Sequence, residues 1–273
     1  MIETLHESYY QLLACTPTTH QRYLYPSFET EERLVGLIGA RGVGKTTLML
    51  QYIKQHYNPD SEAFYFSADH LLFKQRSLLE VVRELWQQRE YTSFFIDESH
   101  KYANWNQELK NLHDGFPKIS IVFSGSSSLS LTHGRFDLSR RGMVFKLEGL
   151  SFREFLKFRG VVELPALTWN ELLHKAPGIA RDWLNLPRLR GHFEDYLKYG
   201  YYAFGLENSK HYAQKLLNVI DKTIYEDIAT FYNLKSQNLG LFKKILVFLA
   251  TTPPGTINSH NLAKALGIDP KTT

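Results

Sequence analysis

The chain has 273 residues, 43% of them apolar and 22% charged, a composition that supplies an ample core for one or two globular domains and excludes a disordered chain. Its net charge of +4 is compatible with a polyanion partner without requiring one. The single cysteine, Cys15, excludes an internal disulfide, no apolar run approaches the roughly 20 residues that span a bilayer, and Glu3, His6 and Glu7 are unlike a secretory signal, so a cytoplasmic protein without a membrane partner is expected.

Residues 1–30 read as a short helix over Glu3 to Ala14, then an extended passage through Pro17 and Pro26. Residues 31–150 alternate apolar runs with helical patterns. Arg33 to Ile38, Ala63 to Phe66, Phe94 to Ile96, Ile119 to Phe123 and Met143 to Leu147 read as strands. Val81 to Gln88 and Trp105 to Leu112 read as covering helices, the latter with Trp105, Leu109 and Leu112 on one face. Such alternation predicts an α/β fold, a parallel sheet with helices on both faces.

The first strand runs into Gly39-Ala40-Arg41-Gly42-Val43-Gly44-Lys45-Thr46, a glycine, four residues, then Gly-Lys-Thr. A strand before this pattern and a helix after it are the context a phosphate-binding loop requires. The glycines let successive N–H groups turn inward around a phosphate chain. Lys45 supplies a point charge for the β- and γ-phosphates of ATP, Thr46 a hydroxyl for the Mg²⁺ that bridges them, and Thr47 stands next in line for the α-phosphate. The plainer alternative, a glycine-rich turn with a solvated lysine, leaves the full pattern to chance. The passage through Pro17 and Pro26 then comes within reach of the nucleotide base, with Arg22 and Tyr23 at hand or simply packed.

The third strand ends in Asp97-Glu98. An acid at the carboxyl end of a buried strand meets the phosphate loop in the crevice, so Asp97 is expected to hold Mg²⁺ with Thr46, leaving Glu98 to orient or deprotonate the attacking water. Two solvated acids capping a strand are the alternative. After the fourth strand, Ser124 or Ser126 in Ser124-Gly125-Ser126-Ser127-Ser128 is placed either to hydrogen-bond the γ-phosphate or to make a plain turn. Arg135, Arg140 and Arg141 follow. Arg140 and Arg141 are read as lying at the carboxyl edge of the sheet, candidates for neutralising charge on a transferred phosphoryl within a subunit or across an interface, against the alternative of surface ion pairs.

The order GARGVGKTT, FFIDE, SGSSS, LSRR and GLSFREFL resembles the prokaryotic AAA-type ATPases that carry a C-terminal domain of uncharacterised function, over about Arg22 to Phe155. The resemblance implies an AAA-like core, ATP with Mg²⁺, and roles for Lys45, Thr46, Asp97 and Glu98 that agree with those argued from the residues. Ser151 and Glu154 open the next helix as a capping box with a structural role.

Residues 151–190 are expected to form a helical lid and linker, interrupted at Pro165, Pro177-Gly178 and Pro187, and residues 191–273 a helical C-terminal domain. Thr256 to Ile268 has the helix and glycine turn that begin a helix-turn-helix, with Leu262, Ala263 and Leu266 inward, so a winged helix is one expectation for this region. Members of the resembled family continue well beyond this point, and the chain is expected to be truncated relative to them. Between Gly191 and Thr273 nine lysines face seven acids with no arginine, too mild a balance for a nucleic-acid footprint. The eleven histidines lack metal-ligand spacing, and His100, three residues past Asp97, is the one placed near the site. The leading expectation is an ATPase acting as a switch or motor. An ATP-regulated DNA-binding protein and an ATP-binding interaction scaffold with negligible turnover are the alternatives, and a homo-oligomer or protein partner stays open.

Overall fold

Short β-branched and aromatic runs bounded by glycine or acid are too brief for helices and must pair to satisfy their backbone groups. In the computed structural model, which describes residues 2–126, 141–207, 209–229, 236–253, 255–256 and 258–268, they do so in one sheet. Strands β1 (Leu34–Ile38), β2 (Ala63–Ser67), β3 (Ser93–Asp97), β4 (Ser120–Gly125) and β5 (Met143–Lys146) are all parallel, in the order β2-β3-β4-β1-β5. The register pairs Ser67 with Asp97, Leu37 with Ser124 and Ile38 with Gly125. The carboxyl ends of four strands therefore finish side by side.

Parallel strands need covering on both faces, and every residue of β1 and β3 is buried. Helices α2 (Lys45–His56), α3 (Leu78–Arg89) and α4 (Trp105–Gly115) connect the strands. In α3, Leu78, Val81, Val82 and Leu85 form the inward stripe, and a Ser77/Glu80 capping box closes its first turn. Helix α1 (Ile2–Cys15) packs on edge strand β2, where the Tyr9 hydroxyl donates to the Ala63 carbonyl at 3.1 Å and its ring meets Phe64 edge-on. The opposite edge, β5, exposes Met143 and Val144.

Beyond β5 the chain is helical: α5 (Phe152–Phe158), α6 (Trp169–Leu184) and α7 (Leu189–Asp195), then a π-helical turn, Tyr196–Gly200. The interruption expected at Pro177-Gly178 does not occur, because α6 runs through both residues. A proline removes one ladder bond, and on a helix with no buried residue the freed Leu173 carbonyl stays in water. A Thr168/Glu171 capping box secures its first turn.

The chain divides into two units, Met1–Ala213 and Gln214–Thr273. Within the second, helices Ser236–Thr251 and Ser259–Leu266 bury Leu239 and Ala263. The Ser259–Leu266 helix stops at Gly267, φ +67°, and the Ile268 N–H returns to the Ala263 carbonyl. The expected helix and glycine turn are both there, with Leu262 and Leu266 half-buried.

Helix α5 is tied to the N-terminal passage by an ion pair between Arg22 Nε and Glu154 Oε1 at 2.8 Å, both side chains nearly inaccessible. Burial pushes the Glu154 carboxyl up, but the Arg22 hydrogen bond and charge, helped by the Ser151 and Tyr23 amides, outweigh it and hold it below the ordinary glutamate value. A carboxyl that ionises more readily folded than unfolded contributes stability in place above the unfolded-state pKa of about 4.3, which is lost as pH falls through the folded-state value. Glu154→Ala should therefore lower the unfolding free energy by about 3–5 kcal/mol at neutral pH. Urea denaturation at about pH 7 and about pH 3 should show the gap between variant and native chain closing in acid. A gap independent of pH would mean that the ionised carboxylate contributes nothing.

Candidate functional site

The site grows from the carboxyl edge of the sheet. Leaving β1, the chain turns at Gly39, where a Cβ would collide with the Leu147 carbonyl oxygen, and passes through Gly42 and Gly44 at φ +83° and +100° before α2 starts at Lys45. Ala40, Arg41 and Thr46 are half-buried, Val43 and Lys45 buried, and Thr47 exposed. Lys45 Nζ donates to the carbonyls of Gly39 at 2.9 Å and Ala40 at 3.1 Å, which fixes the ammonium within the curve of the loop. Gly44, the N-cap, brings no side chain to the first turn of α2.

Asp97 ends β3 at 3% exposure. Its Oδ2 accepts from Thr46 Oγ1 at 2.5 Å and from the Tyr65 hydroxyl at 2.8 Å, while Oδ1 accepts from Ser124 Oγ and from the Glu98 N–H at 3.0 Å. Burial first, then the Asp97 charge and hydrogen bond, push the Tyr65 phenol far above its ordinary range, so it remains a proton donor to the carboxylate. Ser124 is fully buried, and its hydroxyl also accepts from the Glu98 N–H while its carbonyl accepts from Ser99 Oγ at 2.7 Å.

Glu98 takes a left-handed conformation, φ 49° and ψ 35°, unusual for a residue with a Cβ and costing about 1–2 kcal/mol. Its carboxylate lies half-buried with Oε2 3.4 Å from His100 Nε2. His100, singled out by spacing alone, is thus a neighbour of Glu98.

Thr46, Asp97, Glu98 and Ser124 come together as the sequence suggests, with Lys45 on the adjoining loop. Two participants were not foreseen in these roles. Tyr65 reads in sequence as one more core aromatic of β2, and only the register that sets β2 beside β3 turns its hydroxyl toward Asp97. Arg22, expected near a base or packed, donates instead to the Val43 carbonyl and to Glu154. Ser126 is buried. Ser127, Ser128, Arg135 and Arg140 lie outside the described residues. Arg141 is not at the carboxyl edge: it just precedes β5, whose first residue pairs with Val35 near the start of β1, so it lies at the amino edge, away from the phosphate loop. There its guanidinium meets Asp114, at the end of α4, at 3.0 and 3.2 Å. The Arg141 hydrogen bond, seconded by His113, holds the Asp114 carboxyl down at about 2.

Thr46 and Asp97 offer hard oxygen donors, the kind Mg²⁺ takes, and their 2.5 Å contact fits a shared metal. Among the described residues no group of three or more His, Cys, Asp or Glu is arranged to hold a metal. No described helix is long and apolar enough to cross a membrane.

Residues 31–156 match the family model described as an AAA domain. This segment is an AAA domain. The AAA domain is a phosphate-loop module that binds ATP, so nucleotide binding follows from the family, and the five-stranded parallel sheet with its helical continuation is the fold such a domain takes. None of the curated proteins compared matches the chain. Among solved structures, C. elegans PCH-2 is similar at 17% identity over 60% of this chain and 51% of that one, with a TM-score of 0.33. A katanin structure is 16% identical over 59% of each chain, with a TM-score of 0.36. The structure of a Thermotoga maritima RuvB variant is 17% identical over 99% of this chain and 83% of that one, also at 0.36. The chain spans about half the length of the PCH-2 chain and about three fifths of the katanin chain.

Tyr65→Phe keeps the ring and removes one donor from a buried carboxylate. It should lower the unfolding free energy by about 1.5–3 kcal/mol, the range for a hydrogen bond to a charged group. Chemical denaturation would reveal the loss, and a change below about 0.5 kcal/mol would mean that the remaining donors satisfy Asp97 unaided.

Proposed function

We propose that the AAA domain hydrolyses ATP with Mg²⁺ and uses the reaction to switch the conformation of the helical regions that follow. The observation that carries this reading is the convergence, at one edge of the sheet, of Lys45 within its loop, the Thr46–Asp97 pair, and a second acid, Glu98, directly after Asp97 and 3.4 Å from His100.

Each residue then has one task. Lys45 exchanges its bonds to the Gly39 and Ala40 carbonyls for the β- and γ-phosphate oxygens, and the first-turn amides of α2 bind the same anion. Thr46 and Asp97 would hold Mg²⁺, which would supply positive charge against the phosphates. Tyr65 keeps the Asp97 carboxylate oriented. Glu98 accepts the proton of the attacking water, with His100 beside its carboxylate at 3.4 Å. Ser124 anchors the peptide between the two acids, with its hydroxyl on both Asp97 and the Glu98 N–H.

The DNA-binding alternative rests on the Ser259–Leu266 helix and its glycine turn alone, and that feature is shared with many helical proteins.

Lys45→Ala should abolish binding of labelled ATP while the thermal midpoint without nucleotide stays near that of the native chain, because the bonds lost in the free chain are to two loop carbonyls. Undiminished affinity would overturn nucleotide binding at this loop. Glu98→Gln keeps shape and removes the base. It should retain Mg²⁺-dependent ATP affinity and slow turnover roughly a hundredfold or more. Phosphate release measured with saturating ATP separates the two, and equal turnover would exclude Glu98 as the base.

A further inference from the structure

Arg22 lies between the phosphate loop and the chain leaving β5, at 6% exposure. Its guanidinium donates to four oxygens: the Val43 carbonyl, the Glu148 carbonyl at 2.7 Å, the Gly149 carbonyl at 3.0 Å and the Glu154 carboxylate at 2.8 Å. Neutralising Glu154 needs one of these bonds. The other three reach main-chain carbonyls, one of them inside the loop, which only a planar fork of donors can do at once.

The bond to Val43 has a geometric consequence. A trans peptide is planar with its C=O and N–H opposed, so drawing the Val43 carbonyl toward Arg22 turns the Gly44 N–H away from it. Gly42 and Gly44, at φ +83° and +100°, enter this conformation at little cost but have no side chain with which to hold it. The constraint comes from outside the loop. Arg22 also grips Glu148 and Gly149, and the next residue, Leu150, is held on both sides: its N–H donates to the Tyr201 carbonyl at 2.7 Å and its carbonyl accepts from the Tyr196 hydroxyl at 2.8 Å. Movement of the Tyr196–Tyr201 turn therefore reaches the carbonyls that Arg22 holds.

We propose that Arg22 is a positioning residue for nucleotide binding. It sets the Val43–Gly44 peptide with its N–H toward the phosphates without touching them, and it couples that setting to the Glu148–Glu154 stretch. The proposal rests on the nucleotide-binding reading above. Coupling of this kind is reciprocal, so a bound nucleotide must also steady the far end of the network.

Two variants and one measurement on the native chain test it. Arg22→Lys leaves a charge for Glu154 with no second arm for Val43. The double substitution Arg22→Met with Glu154→Met removes both charges together, a replacement that buried pairs often tolerate. Each folded variant should bind labelled ATP roughly tenfold or more weakly, as expected for loss of a charge-assisted bond that orients the loop. In the native chain, ATP should slow amide exchange at Tyr23 and Ser151, whose N–H groups donate to Glu154 at 2.7 and 2.8 Å. This arm needs no variant and decides the matter if neither folds. A folded variant with native affinity, or exchange at Tyr23 and Ser151 indifferent to ATP, would overturn the role of Arg22. Failure of the native chain itself to bind labelled ATP is a different result, which overturns the nucleotide reading.

Discussion

A carboxylate withdrawn from water is costly unless donors surround it, and Asp97 draws its donors from separate parts of the chain: Thr46 at the start of α2, Tyr65 in β2, Ser124 in β4 and the neighbouring Glu98 amide. Satisfying one side chain therefore fixes where three strands end and where the helix after the loop begins. The parallel register makes this possible by bringing Ser67, Asp97, Ser124 and Ile38 to one edge. If β4 slipped by one residue, Ser124 would turn to the other face and the Oδ1 side of Asp97 would lose its hydroxyl. Core packing sets the register, and the acid at the edge gives that register a chemical consequence.

The loop that faces this acid is held differently. Its glycines supply permission and no rigidity, so order has to be imposed by Lys45 on the Gly39 and Ala40 carbonyls from within and by Arg22 on Val43 from without. Both constraints act on carbonyls. A loop whose carbonyls are engaged elsewhere presents its amides by default, since each trans peptide carries the two groups in opposite directions. Anion affinity at such a loop depends on cationic side chains that need not all touch the anion.

How far the sequence foretold this depends on the range of the interaction concerned. Strands showed as apolar runs, and α3 and α4 as the helical patterns from Val81 to Gln88 and from Trp105 to Leu112, because periodicity reports burial directly. The loop, the two acids and Ser124 were legible because their spacing along the chain is itself the signal. Tyr65 was not, since a hydroxyl on an aromatic core residue becomes meaningful only once β2 is known to lie beside β3. Arg22 and Glu154 are far apart in sequence, and no local pattern announces their bond. Arg141 misled because its distance from the fourth strand was taken for the edge it occupies, whereas the parallel direction of β5 puts the residue before that strand at the amino edge, beside Asp114. Pro177 misled because a helix breaker is a statement about energy, and α6 absorbs one lost bond at the surface.

The adjacent acids Asp97 and Glu98 show how one backbone conformation divides two like charges. In extended backbone, successive side chains point to opposite faces, and the residue after a buried strand position would be driven under the sheet or into the next helix. Glu98 instead adopts φ 49°, with its own N–H turned back onto Asp97 Oδ1 and Ser124 Oγ. The strained residue thus stabilises the buried acid through its amide and presents a second, half-exposed acid through its side chain. A glycine at this position would adopt the turn without strain and lose the acid, and an alanine would keep the two bonds of the amide and lose the acid as well. The strain of roughly 1–2 kcal/mol held in this conformation is offset by two hydrogen bonds to buried partners. That balance explains why a glutamate can persist in a conformation that most side chains avoid.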